Sequence, residues 1–456
     1  MDEILADAAA RSITYLRERD ARPVVPDPKA VEALGQFVEA LPLLGTEPAD
    51  VLRFLDDVGS PGTAASTGGR YFGFVTGGAH SVSVAASWLS AAWDQNAALG
   101  VMSPVAGVLD TVAGGWLSVL FGLPADVQHQ FVSGTSAANV ICLAVARDRL
   151  LADQGWDAVN DGLAGAPAIR VVVSEAAHSS VTKALGLIGL GRNNVVIARM
   201  DQQGRMDAAT LPEAGVPSIV ITQAGSVNSG AHDPFNDIAD HFEGSPHWIH
   251  VDGAFGLWAT TSPRRRHLVA GVERADSWAT DMHKWLNTTY DSAAAFVRDR
   301  QDMARTFDVA AAYLPDSGRI EPVGRGIDMS QRARAIETWA VLKSLGSTGV
   351  AELTDRLCDH AAALAEALRR GGLTIHNDVE LNQILVSLDT DAQTDALLDA
   401  VQRSGQIWCG GSSWHGRSVL RISVCSWATT ADDIEVAAST ILDAASLVAA
   451  REDSEG

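Results

Sequence analysis

Trp248-Ile249-His250-Val251-Asp252-Gly253-Ala254 is an apolar run with one imidazole in it, closed by a carboxylate and two small residues. Trp248 to Val251 has the composition of a strand. Side chains alternate along a strand, so His250 and Asp252 fall on one face. An acid just past an apolar strand lies at the carboxyl edge of a sheet, where open α/β folds bind their ligands. Asp252 there reads as a partner for a protonated ring nitrogen or as an acidic cap on the next turn. His250 reads as a group that orients this carboxylate or as a hydrogen-bonded core histidine.

Outward from this stretch the chain alternates strands and helices from about 105 to 300. Ile169 to Val173, Val195 to Ala198 and Ser218 to Thr222 are further strand candidates, and Phe296-Val297 closes the set near Ala293. Helical patterns lie between several of them, which predicts a mainly parallel sheet covered on both faces. Residues 1 to about 60 carry helical spacing in short pieces, and a helix is expected from about 82 to 96. Short helices of this kind need a partner surface, such as another subunit. Another helix is expected from about 326 to 345, ending near Gly346. The remainder reads helix, strand (Gln383 to Ser387), helix, strand (Val419 to Val424), helix. The expected organisation is an N-terminal helical segment (1–85), a large ligand-binding domain (86–345) and a small C-terminal α/β domain (346–456).

Several loops after these strands carry chemistry. Gly134-Thr135-Ser136 opens a helix, whose free N–H groups suit a phosphate or receive an ordinary hydroxyl cap. His178 follows Val173 at another strand exit, where an imidazole stacks on a planar ring, moves a proton, or simply bonds its own turn. Thr222 to Gly230 is rich in small polar residues, as a ligand loop or a plain turn would be. Lys284 stands after the polar turn Thr280-Asp281-Met282-His283 and before Trp285-Leu286. An amine beside an aromatic surface and a cofactor suits imine chemistry. Read alone, Lys284 is by default a surface lysine. His250 and Asp252 lack a third ligand at metal-binding spacing, so no metal is expected.

The chain has 456 residues, 47% of them hydrophobic and 20% charged, with a formal net charge of -22. Such an acidic surface disfavours nucleic acid and anionic membranes as partners. Cys142, Cys358, Cys409 and Cys425 stand in neither metal nor redox spacing, as reduced thiols of a cytoplasmic protein would. The start, Met-Asp-Glu-Ile-Leu-Ala-Asp, lacks the basic and apolar regions of a secretory signal, and no membrane span is expected.

As an ordered set, these pieces resemble the group II pyridoxal-dependent decarboxylases. The resemblance runs from about Gly69 to Asp433 through Arg-Tyr-Phe-Gly-Phe-Val (70–75), Trp-Asp-Gln-Asn (93–96), Gly-Thr-Ser-Ala-Ala-Asn (134–139), Ala-His-Ser-Ser (177–180), His-Val-Asp-Gly-Ala (250–254) and His-Lys-Trp-Leu-Asn (283–287). It implies the aspartate aminotransferase-like fold, type I, usually as a homodimer. It also implies pyridoxal 5'-phosphate held by Lys284 as a Schiff base. Asp252 is then expected at the pyridine nitrogen and His178 on the cofactor ring. Gly134, Thr135 and Ser136 are expected at the phosphate, with Ser226 and His283 near the cofactor. Tyr71, Phe72 and Asn96 are expected on the substrate side.

The implied reaction is decarboxylation of an L-amino acid, preferably aromatic, to an amine and CO2. There are departures from the family pattern. Its aromatic amino acid members place a tyrosine in a mobile loop after the lysine. Here Tyr313 opens the comparable stretch and no later tyrosine stands before Gly324. That keeps open aldehyde formation, transamination or another lyase reaction. Arg421, on the C-terminal strand, and Arg417 before it keep open an acidic substrate. Lys284, Asp252 and His178 together argue against a non-catalytic scaffold.

Overall fold

The computed structural model describes residues 2–308 and 320–455, so Tyr313 lies outside the described residues. The chain divides into two units, residues 79–361 with 377–383, and residues 1–78 with 362–376 and 384–456.

The first unit is built on seven strands: β1 (Gln128–Val132), β2 (Arg170–Ser174), β3 (Val196–Ala198), β4 (Ser218–Gln223), β5 (His247–Asp252), β6 (Ser277–Asp281) and β7 (Ala293–Val297). Their spatial order is β1-β7-β6-β5-β4-β2-β3. Every neighbouring pair is parallel except those of β7, which runs antiparallel to both β1 and β6. Strands β1, β2, β4, β5 and β6 therefore point their carboxyl ends to one edge. This is the mainly parallel sheet expected from the sequence.

Two strands of this sheet went unread in the sequence, β1 and β6. Both carry polar residues, His129 and Gln130 in one, Ser277, Thr280 and Asp281 in the other, yet all of these are buried. Thr280 and Asp281 end a strand and do not form the expected turn. The turn is Met282–Leu286, one π-helical loop closed by Asn287 in the left-handed region (φ 54°). The helix expected from about 326 begins instead at Ala335 and breaks at Gly346 (φ 64°). Gln331 ahead of it is tied to the loop at Asn96 and Ala97.

The helix Thr135–Ala152 packs along the sheet and is buried almost all round. Ile141, Leu143 and Val145 have no exposed surface, and each such side chain stabilises the fold by about 1.5–3 kcal/mol. That packing fixes where the helix begins. The helix Pro104–Phe121 is long and apolar enough to cross a membrane by length and composition alone. Its buried residues Ala106, Asp110, Ala113, Leu117 and Phe121 recur at helical spacing, and Phe121 packs on Trp258 and Phe296. One face of this helix is thus packed into the core, while Val108 and Val119 stay exposed.

The second unit carries a four-stranded sheet of β8 (Thr374–Ile375), β9 (Gln383–Ser387), β10 (Gly410–Trp414) and β11 (Arg417–Ser423), in the order β10-β11-β9-β8. β10 was not expected, being Gly-Gly-Ser-Ser-Trp. In the same unit Trp408 stacks on Tyr71 (ring centroids 5.0 Å) and on Phe74 (5.0 Å). A Cβ on Gly73 would stand 1.9 Å from the indole, so only glycine fits there.

In the first unit Asp110 Oδ2 accepts a bond from buried Arg325 (2.7 Å) and lies 3.2 Å from His129. Burial acts to raise the Asp110 carboxyl pKa, but the charges of Arg325 and His129 outweigh it and hold it well below the usual range. Its stabilisation is present above the unfolded carboxyl value and is lost as pH falls through the depressed folded one. Arg325→Met leaves the buried Asp110 carboxylate with His129 alone and is expected to cost about 3–5 kcal/mol by chemical denaturation. A loss below about 1 kcal/mol, the scale of an exposed pair, would contradict this.

Candidate functional site

The carboxyl edge of the large sheet gathers two groups of side chains, joined by the first turns of the helix Thr135–Ala152. Gly134 is the residue before this helix and neither it nor a hydroxyl caps it. The Asp281 carboxylate does so from the end of β6, its Oδ1 accepting the Thr135 N–H at 2.7 Å. Its Oδ2 lies 2.7 Å from Lys284 Nζ, one turn further on. His283 Nε2 stands 3.7 Å from Oδ1. Burial acts to raise the Asp281 pKa, but the Lys284 charge, His283 and these bonds outweigh it and hold it low. Burial is also the largest influence on His283 and pushes its pKa down. Its ring lies 4.4 Å from that of Tyr290.

One turn along the same helix, Asn139 Nδ2 donates to Asp252 Oδ2 at 3.0 Å. Ser180 Oγ reaches the same oxygen at 3.4 Å, and Ala254 N–H donates to Oδ1 at 3.3 Å. Asp252 thus does cap its own turn, and it also meets side chains from two other elements. His250 does not touch it. His250 Nε2 lies 3.0 Å from Asn139 Oδ1, and its Nδ1 lies 2.9 Å from Ser277 Oγ. Trp248 Nε1 donates to that hydroxyl at 2.8 Å. The direction of every bond follows from the carboxylate end. A carboxylate only accepts, so the Asn139 amide turns its NH2 to Asp252 and its oxygen to His250. His250 then donates from Nε2 and accepts the Ser277 hydroxyl at Nδ1. Burial pushes the His250 pKa down to about 3, so the ring stays neutral.

His178 begins the helix Ser179–Leu187. Its Nδ1 accepts the Ser180 N–H (3.2 Å) and lies 2.8 Å from Ser180 Oγ. It is therefore bonded to its own turn, as a local reading of the sequence allowed. Ser180, shared with Asp252, connects it to the β5 edge.

Hydroxyls suited to a phosphate stand at this helix start and in the loop after β4. Among the described residues the buried hydroxyls of Thr135 and Ser226 have no hydrogen-bond partner, and Ser136 is exposed. Gly134 has an extended backbone that any residue adopts (φ -174°). A Cβ there would meet only His283 at 3.8 Å and Asp281 at 3.9 Å. Its glycine keeps open the space between the helix start and the lysine turn. Orphaned hydroxyls, an open cradle, a lysine and a facing carboxylate fit a phosphorylated pyridine aldehyde.

The other expected residues are placed differently. Asn96 Oδ1 accepts from Ala98 (3.0 Å) and Gln331 (3.1 Å), which makes it a strut between two loops. Tyr71, Phe72 and Arg421 belong to the unit of the smaller sheet. Phe72 is fully buried, so Tyr71 and Phe74 are the surface rings of that segment. Arg421 is half-buried on β11, and burial lowers its pKa.

Sequence reasoning missed Asn139, Ser180 and Asp281 as site residues. Asn139 carried a signal, an amide directly before the apolar run Val140 to Val145 that burial obliges to find partners. Asp281 carried the one already used for Asp252, an acid at a strand end.

The Pyridoxal-dependent decarboxylase conserved domain model matches residues 51–388. The chain is 28% identical to an aromatic-L-amino-acid decarboxylase of Bacillus atrophaeus, over 73% of this chain and 68% of that protein. It is 26% identical to tryptophan decarboxylase 1 of Oryza sativa subsp. japonica, over 90% of this chain and 87% of the other. Its fold is similar to the crystal structure of Oryza sativa TDC with PLP and tryptamine. The TM-score is 0.90 at 22% identity, covering 98% and 97% of the two chains.

In protein labelled with 15N-histidine, His250 is expected to remain neutral and Nε2-protonated from about pH 5 to about pH 9. A titration of this ring near the ordinary histidine value would break the assigned chain of bonds.

Proposed function

The chain belongs to the pyridoxal-dependent decarboxylase family, and from that membership we propose that its substrate is an aromatic L-amino acid. It is an enzyme that depends on pyridoxal 5'-phosphate and releases CO2 from an amino acid to give an amine. The aromatic substrate is supported by the names of two relatives that span most of the chain.

The observation that carries the site assignment is the gathering of Lys284, Asp252 and the start of the helix Thr135–Ala152 at one sheet edge. When bound, the cofactor supplies a conjugated, electron-withdrawing ring that receives the electrons of the breaking Cα–carboxylate bond. Lys284 offers the amine that anchors the cofactor, aimed by its contact with Asp281 Oδ2. Thr135, Ser136 and Ser226 offer hydroxyls to the phosphate beside the open space at Gly134, with His283 closing its side. Asp252 holds a carboxylate toward the ring nitrogen and keeps a proton there. His178, its ring set by Ser180, would lie beside the bound cofactor and move a proton at the substrate carbon.

A homodimer fits the first unit, which exposes Trp88, Leu89, Trp93, Val101, Val108 and Val119. Four buried free cysteines suit a reducing, cytoplasmic setting. The acidic charge of -22 suits neither nucleic acid nor anionic membrane as a partner.

Wild-type protein with added pyridoxal phosphate is expected to show a visible absorbance band and to release CO2 with the matching amine from aromatic amino acids. Lys284→Ala is expected to lose both. A band that persists in the purified variant would refute the assignment of Lys284. Faster turnover of acidic amino acids would refute the aromatic one, and an aldehyde or keto acid as main product would replace the reaction. By sedimentation, the particle is expected at about twice the chain mass of 48.0 kDa. A monomer at micromolar concentration would overturn the homodimer.

A further inference from the structure

Asp252 is held almost entirely by groups that carry no charge. Its Oδ2 receives Asn139 Nδ2 at 3.0 Å and Ser180 Oγ at 3.4 Å, and its Oδ1 receives a backbone N–H at 3.3 Å. Asn139 is the shortest of these and is fully buried. Its amide oxygen is held in turn by a further side chain. His250, equally buried, locks the amide oxygen at 3.0 Å, and Ser277 and Trp248 lock His250. The five residues come from one helix and two neighbouring strands, so no local turn explains the arrangement.

We propose that Asn139, braced by His250, is the positioning residue of the Asp252 carboxylate, and that the brace is neutral so that Asp252 keeps its full charge for the cofactor. This rests on the site assignment above. The amide gives the carboxylate one fixed hydrogen bond and so a fixed plane. A cation in its place would compete with the ring nitrogen for the same charge. A histidine bonded directly to Asp252 would be drawn toward the protonated form by that carboxylate. Separating the two by an amide keeps the imidazole neutral and the carboxylate charged. The helix start contributes as well. Asn139 stands four residues after Thr135, on the same face, so the packing that sets one contact sets the other.

Two substitutions test this on the full-length protein. Asn139→Ala removes the bonds of the amide to Asp252, His250 and Ser180. Asn139→Asp keeps the shape and still accepts from His250, but turns an oxygen on Asp252. Both are compared with wild type for the dissociation constant of pyridoxal phosphate, the melting temperature without cofactor, and kcat and KM separately. Asn139→Ala is expected to weaken cofactor binding about tenfold, the scale of one lost bond to a buried charged group. Asn139→Asp is expected to weaken it more, because two carboxylates then face each other. In both, kcat falls by a larger factor than KM rises. A merely structural asparagine predicts a lower melting temperature with cofactor affinity within about twofold of wild type, and that result overturns the proposal. If one variant fails to fold, the other decides by the same criterion. Unchanged affinity in the variants beside normal binding by wild type leaves the site assignment standing. Failure of wild type to bind pyridoxal phosphate overturns both.

Discussion

One helix start holds the candidate site together. The N–H of Thr135 meets the carboxylate at the end of β6, and the amide of Asn139 meets the carboxylate at the end of β5. Both contacts come from one face of one helix, about one turn apart. Their separation is therefore set by helical geometry and their height by the packing of Ile141, Leu143 and Val145. If the helix moved along the sheet by a turn, both carboxylates would lose their donors together. The apolar core and the polar edge are in this sense one constraint. The buried face of the helix fixes its axial position, and its first two turns use that position.

The cost of such an edge lies in buried polar groups. Asn139, His250, Ser277, Asp252 and Asp281 are all nearly or fully buried. Each unmade bond among them would cost about 1–3 kcal/mol, a large share of the total stability of a domain. The chain Trp248–Ser277–His250–Asn139–Asp252 avoids that cost, because every donor in it faces an acceptor. The hydroxyls of Thr135 and Ser226 are the contrast. They are buried and have no hydrogen-bond partner among the described residues. Within one site, then, some polar groups are fixed by the protein and others are left for what it binds.

Much of this was legible in the residues. The strands β2, β4 and β5 announced themselves by β-branched and apolar runs, and Asp252 and His178 each stood at or just beyond such a run. β1 and β6 were hidden because pattern reading treats serine, threonine, glutamine and aspartate as signs of loop. In the folded chain those side chains are buried and bonded across strands, a long-range fact that no local window contains. Asn139 was quoted as part of a motif without a role for the same reason, since its partners stand 111 and 113 residues away. The expected start of the helix near 326 failed on a different ground. Residues before Ala335 have helical composition, but their backbone is committed to the loop at Asn96.

The two strand-end acids differ in a way that bears on their tasks. Asp281 is matched with a cation, Lys284, at 2.7 Å, and its charge is spent within the protein. Asp252 receives hydrogen bonds from an amide, a hydroxyl and a backbone N–H, none of which is charged. Neutral donors orient a carboxylate without cancelling it, whereas an ammonium at bonding distance does both. Two chemically identical groups on adjacent strands are thereby given unlike roles. One fixes the direction of the lysine and the start of the helix. The other presents an uncompensated negative charge at a set angle, and a protonated ring nitrogen is the kind of partner such a charge selects. What separates them is the single residue type set opposite each, lysine for one and asparagine for the other.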